Sequence, residues 1–228
     1  FGLSMGDGKE GGRPEYVKQA VEASLQRLGT DRIDLYQLHR PDPKTPIADT
    51  LGALDDLVKA GKVREIGCSN FTAAMIDEAE GAVKPGAARF ASVQNHYSMI
   101  TREPETHVLP ECERRGIGFL PYFPLENGLL TGKYHSGKPL PEGSRAKDEF
   151  GPKIFTPDNL MRADSLGQFA RQHGHTMLEL AFGYLAAQPA LASIIAGAKN
   201  PAQVKAKAEA LGWKLTAGEL IEVRALLA

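Results

Sequence analysis

A regular alternation of strand-like and helix-like segments, punctuated by glycine and proline, constrains this chain more than any other feature. Helical spacing of apolar residues runs over 14–28, where Pro14 suits a first turn and Gly29 suits a helix end. The strand-like run IDLYQLH, 33–39, follows at once. Next come a helix over 47–60 closed by Gly61, a strand over 63–68, and a helix over 72–83 capped by Thr72. A strand over 91–96, a helix over 105–115 ended by Gly116 and a strand over 117–122 continue the order. A long polar loop, 126–156, interrupts it. Helices over 160–172 and 176–187, a fifth strand over 192–196, a helix over 201–211 and a short helix from Ala217 complete it. Strands alternating with helices imply a parallel sheet with right-handed crossovers. A closed barrel and an open doubly wound sheet both satisfy this order.

A length of 228 residues suits a single domain over 1–228, since α/β barrels run to roughly 200–250 residues as one unit. The strand count disagrees with that simple fit. Five strands are readable, whereas a (β/α)8 TIM barrel needs eight. The first strands are then expected to be absent from this chain, as three units of roughly 30 residues each ahead of Phe1. The chain opens on Phe1 and not on Met, so its first residue is expected to be a cut.

Composition excludes several function classes. A net charge of −1 exerts no long-range pull on nucleic acid or anionic lipid, so neither is expected as a partner. The most apolar window, 178–198, contains Glu179, Gln188 and Pro189, which a lipid-facing helix rarely carries. No signal peptide is present in these residues, and Cys68 and Cys112 form neither a disulfide framework nor a zinc site. A cytoplasmic protein is the expectation.

In parallel α/β folds chemistry gathers at the carboxyl ends of the strands. The first strand ends on His39, the second on Ser69 and Asn70, the third carries Gln94, and the fourth ends at Tyr122 before a Pro-Leu-x-x-Gly turn. The fifth leads through Gly197, Ala198, Lys199 and Asn200 into a helix that begins near Pro201. A helix start with a nearby lysine suits a phosphate. Taken singly, each residue is also an ordinary cap or packing group; together they place polar or ring-bearing groups at one rim, as a bound ligand requires.

Two motifs are weaker than they look. Gly6 to Gly11 matches G-x-G-x-x-G, but only FGLSM precedes it and the helix starts later, at Pro14. His173 and His175 have no cysteine or carboxylate at a spacing that suits a metal, so no metal site is expected.

The segments LHRPDP, GKVREIGCSNF, SVQNHYSMITRE, PLENGLLTGKY, GSR and IIAGAKNPAQV, in this order, resemble the aldo/keto reductase family, and most of all its bacterial, potassium-channel-β-like branch. The resemblance implies a (β/α)8 barrel that binds NADP(H) and reduces aldehydes or ketones to alcohols by hydride transfer. It implies a catalytic role for His39, which would orient a small-molecule carbonyl substrate. Ser69, Asn70 and Gln94 match residues that hold the nicotinamide carboxamide, and Tyr122 matches the aromatic that stacks on the nicotinamide ring. Phe123, Pro124, Leu125, Asn127 and Gly128, with Lys133 and Arg145, resemble the segment around the pyrophosphate. Gly197, Ala198, Lys199 and Gln203 match the adenosine-phosphate end, where Lys199 favours NADPH over NADH.

The match has departures. Phe123 stands where a serine is common, and Ala206 and Lys207 stand where an acidic residue and an asparagine are often found, although Lys207 adds charge at the phosphate end. The family's catalytic Asp, Tyr and Lys are expected ahead of Phe1. The resemblance also leaves room for a nucleotide-binding regulatory relative that senses redox state without turnover. It implies neither a particular carbonyl compound nor an oligomeric state.

Overall fold

Four strands stand side by side in the order β1-β2-β3-β4 in the computed structural model, which describes residues 1–227 apart from 5, 7–8, 141–148 and 150. They are β1 (Ile33–Leu38), β2 (Val63–Ser69), β3 (Phe90–His96) and β4 (Gly118–Tyr122). The β1–β2 and β2–β3 pairs are parallel, as the alternation requires. Between them run α1 (Pro14–Leu28), α2 (Ile47–Lys59), α3 (Ala73–Ala82) and α4 (Val108–Arg115), with α1 leading into β1. Beyond β4 lie α5 (Gly151–Ile154), α6 (Pro157–Gln172), α7 (Met177–Ala186), α8 (Pro201–Glu209) and α9 (Ala217–Leu226).

The helix boundaries follow local chemistry. Pro14 opens α1, and Gly29 ends it in the left-handed conformation. Thr72 caps α3 by accepting the Met75 N–H. Thr176 and Thr216 each begin a helix with a reciprocal capping box, their partners being Glu179 and Glu219. Gly67 sits at a crowded place between strands: a side chain there would begin 2.4 Å from the Ser92 hydroxyl, at a register shift between Ile66 and Gly67.

The chain divides into two compact units, one of 1–95 with 105–120 and one of 96–104 with 121–228. In the first, Leu38, Ile66, Phe90 and Val93 from the strands are buried together with Val17 and Val21 of α1, Leu54 of α2 and Ile76 of α3. In the second, α7 is apolar on nearly every side and is buried along most of its length. Around it Leu129, Leu130, Leu166, Phe169, Trp213 and Val223 complete the core.

Several expectations need correction. The fifth strand, 192–196, is reduced to a single parallel bridge between Ile195 and Tyr122, with the Ile195 N–H donating to the Pro121 carbonyl at 3.0 Å. The helix expected over 105–115 starts at Val108, because Glu103–Glu105 forms a separate 3-10 turn around Pro104. Strand β1 stops at Leu38, and His39 is the first residue beyond it. The interval 126–156 is not all loop: Glu126–Thr131 forms 3-10 turns and Gly151–Ile154 a helical turn. The Gly6-to-Gly11 motif includes Asp7 and Gly8, which lie outside the described residues.

The loop after β1 is tied down by one side chain. The Asp42 carboxylate accepts the Gly12 N–H at 2.9 Å, the Lys44 N–H at 2.9 Å and the Thr45 hydroxyl at 2.7 Å. Partial burial pushes the Asp42 pKa up, but these three donors and the Lys44 charge pull harder and hold it below the usual carboxylate value. Asp42→Ala should cost about 1–2 kcal/mol at neutral pH. Because the folded-state pKa is depressed, Asp42 contributes stability above the unfolded carboxylate pKa and loses it as pH falls through the folded one. Urea melts of both proteins at pH 7 and in acid check this: the gap should narrow in acid, and a gap that widens would refute it.

Candidate active site

Two of the parallel strands and the residue that follows β1 bring four of the expected residues to one edge of the first unit. His39 is exposed just beyond β1, and its main-chain N–H donates to the Phe1 carbonyl at 2.7 Å. Partial burial and the Arg40 guanidinium lower its pKa, so the neutral imidazole is favoured at pH 7. Asn70 adopts φ 61° at the end of β2. Its amide nitrogen donates to the His39 carbonyl at 2.9 Å and to the Ser69 hydroxyl oxygen at 3.1 Å. The Ser69 hydroxyl and the Asn70 main-chain N–H both donate to the Gln94 carbonyl, at 2.6 and 3.0 Å. The ends of β1, β2 and β3 are thereby clasped together. In this arrangement Ser69 and Asn70 serve first as structural ties.

The second unit holds a cleft of about 710 Å³. Tyr122, Phe123, Pro124, Leu125, Asn127, Gly128 and Lys133 line it on the side of β4 and the following turn. Gly197, Lys199, Gln203 and Lys207 line it on the side of α8. Residues remote in sequence therefore meet, as the strand-end reading expects. The cleft joins an aromatic ring to three ammonium groups, which suits a ligand that is flat at one end and anionic at the other. A dinucleotide has that chemistry, so these residues fit the group that the family resemblance implies.

Local hydrogen bonds explain how the cleft is shaped. Asn200 caps α8 by accepting the Gln203 N–H at 2.9 Å. The Gln203 side-chain oxygen in turn accepts the Lys199 N–H at 2.8 Å. Lys207 donates its ammonium to the Gly197 carbonyl, which fastens α8 to the segment before it. Gln203 and Lys207 thus brace the lysine-bearing turn as well as lining the cleft. Ala198 sits between two lining residues without lining the cleft itself, and Arg145 lies outside the described residues.

The turn after Tyr122 is unusual in its backbone. Phe123, Glu126 and Asn127 have φ of 51°, 45° and 52°, and Gly128 has 100°. Behind it lies a polar cluster absent from the sequence reading. Glu126 is 1% exposed, and its carboxylate lies 3.0 Å from His96 Nε2 and accepts the Ser98 hydroxyl at 2.5 Å. Burial raises its pKa, but bonds from His96, Ser98 and Thr101 outweigh that and hold it below the usual glutamate value. A glutamate inside the apolar run PLENGLL was the available signal. Of the two histidines, His175 stacks on Trp213 at 4.1 Å and lies 3.3 Å from the Glu179 carboxylate, and His173 sits against Phe169 at 4.2 Å; among the described residues no group of three or more His, Cys, Asp or Glu is placed to hold a metal ion.

Residues 4–228 match the Aldo/keto reductase family. The chain is 35% identical to Aldo-keto reductase YhdN of Bacillus subtilis over 92% of its own length and 63% of the relative's. It is 29% identical to the L-glyceraldehyde 3-phosphate reductase of Escherichia coli O157:H7 over 88% of its length and 60% of that protein. The chain therefore spans less than two thirds of these relatives. Among solved structures it is similar to the glycerol dehydrogenase AKR11B4 from Gluconobacter oxydans, with a TM-score of 0.83, 31% identity, and coverage of 96% of this chain and 65% of that one. The parallel α/β arrangement is that of the (β/α)8 barrel, and on sequence and structure together the chain belongs to the aldo/keto reductase family.

Proposed function

We propose that this chain is part of an NADPH-dependent reductase of aldehydes or ketones. The observation that carries the proposal is the cleft of the second unit, in which Tyr122 and the ammonium groups of Lys133, Lys199 and Lys207 line one cavity. Stacking on Tyr122 suits a nicotinamide ring, and the lysines suit phosphates. A 2′-phosphate adds charge at the α8 end, where Lys199 and Lys207 stand, so NADPH is favoured over NADH. When bound, the cofactor supplies the hydride.

The remaining roles belong to side chains. His39, neutral at pH 7, donates a hydrogen bond to the substrate carbonyl oxygen and orients it without burying a charge. Ser69, Asn70 and Gln94 combine donors and acceptors, as an amide ligand requires. The proton that completes the alcohol is proposed to come from the tyrosine that the family carries ahead of these strands. Both cysteines are free and buried, and among the described residues no helix is long and apolar enough to cross a membrane. A cytoplasmic site of action is proposed on the cysteine usage.

The direct test is NADPH oxidation by the whole gene product with 4-nitrobenzaldehyde and a broad panel of other carbonyls. Turnover supports the proposal. Tight NADPH binding with no turnover on any substrate would replace it with the regulatory reading.

Two sets of variants separate the roles. Tyr122→Ala should weaken NADPH binding about tenfold through lost stacking. His39→Ala should lower kcat roughly 10²-fold and leave NADPH affinity within about twofold. Loss of cofactor binding with unchanged turnover in His39→Ala would contradict the assignment. Lys199→Ala should raise the Kd for NADPH by about tenfold or more and leave NADH nearly unchanged. Equal losses for both cofactors in a titration would show that Lys199 does not read the 2′-phosphate.

A further inference from the structure

The buried cluster behind the cleft has no role in the reading above. His96 lies flat against Tyr122, with ring centres 5.3 Å apart and planes 18° from parallel. Phe123 stands edge-on to both rings, at 5.6 Å from His96 and 5.3 Å from Tyr122. Tyr122 and Phe123 line the cleft, whereas His96 and Glu126 do not. The Glu126 carboxylate lies 3.0 Å from His96 Nε2 and is itself held by Ser98 and Thr101. Ser98 is further fixed because its hydroxyl oxygen accepts the main-chain N–H groups of Ile100 and Thr101, each at 3.0 Å.

A buried polar contact is weak support for stability, because apolar groups of the same volume often do as well. It does fix geometry. The imidazole meets the Tyr122 ring on its face and the Glu126 carboxylate 3.0 Å from Nε2, so a rotation of the imidazole would break both contacts.

We propose that His96 and Glu126 are positioning residues for Tyr122: the buried carboxylate orients the imidazole, and the imidazole forms the flat support that sets the angle of the Tyr122 ring in the cleft. The proposal rests on the reading of Tyr122 as the ring that stacks on the nicotinamide. Cofactor affinity then depends on a carboxylate that does not line the cofactor cleft.

The test is a double-mutant cycle on the whole gene product, read as the Kd for NADPH by fluorescence titration. Glu126→Ala and His96→Asn should each raise Kd about threefold to tenfold, the range of an aromatic pairing. Glu126→Gln keeps a polar side chain of the same size against Nε2 and should stay within about twofold of the unchanged protein. In a Tyr122→Ala background, Glu126→Ala and His96→Asn should have no further effect, because their route to the cofactor is gone. Losses of equal size in both backgrounds would overturn the inference and mark a general structural role. So would an unchanged Kd when Tyr122 is present. If Glu126→Ala does not fold, His96→Asn carries the cycle alone. If Tyr122→Ala itself leaves Kd unchanged, the reading of Tyr122 as the stacking ring fails, and the inference falls with it. If Tyr122→Ala weakens binding and His96→Asn does not, only the inference fails.

Discussion

Parallel pairing of β1, β2 and β3 sends all three strands out of the sheet at the same edge, and the arrangement of polar groups depends on it. The register sets Gly67 beside Ser92 and Ser69 beside Gln94. Reversing any strand would carry its terminal groups to the opposite edge. Parallel strands need long crossovers, and the helices that supply them bury the outer face of the sheet. The same constraint therefore generates the alternation, the core of the first unit and the meeting of His39, Asn70, Ser69 and Gln94. Their mutual hydrogen bonds then lock three strand ends together, so the edge is structurally defined before any ligand arrives.

Elements with strong local signals were legible in the sequence. Helix α1 has the expected bounds because proline at its start and glycine at its end act through the backbone alone. The run ASIIA, 192–196, shows where such signals stop. A strand is defined by its partners, and a short apolar run does not state whether a partner is present. Only Ile195 finds one. The helix before β4 shows a different limit. Helical spacing extends back to Glu105, but Pro104 favours a tight turn, and regular helix begins three residues later.

For the site, residues that recur in a known motif were legible and the groups behind them were not. Tyr122 and Lys199 were read from strand-end position and resemblance, and the cleft brings them together with Lys207, which departs from the family pattern. The apolar run around Glu126 hints at burial, but nothing at either place in the chain points to His96 as its neighbour. Their contact spans 30 positions, and no spacing rule links them. The dual character of Asn70 and Gln203 was also hidden. Both side chains were read as ligand groups, yet both hydrogen-bond to the protein first. A side chain's capacity to bond is written in its chemistry, but its partner is chosen by the fold.

The strained turn at 123–128 links the buried cluster to the shape of the cleft. Three side-chain-bearing residues there hold positive φ, at a cost of roughly 1–3 kcal/mol each. Such a turn persists only where its surroundings over-determine it. Glu126 supplies that, since its carboxylate is buried and would lose its bond from Ser98 and its contact with His96 if the backbone relaxed. The main chain helps: the N–H groups of Glu126 and Gly128 donate to the Phe123 and Leu125 carbonyls at 3.0 and 2.8 Å. An apolar residue at 126 would bury as well but would tie the turn to nothing. A lysine would lie beside the His96 imidazole with no anion to pair with. A carboxylate is the group that both tolerates burial beside an imidazole and anchors a strained backbone. Its place in the apolar run PLENGLL follows from those two demands acting together.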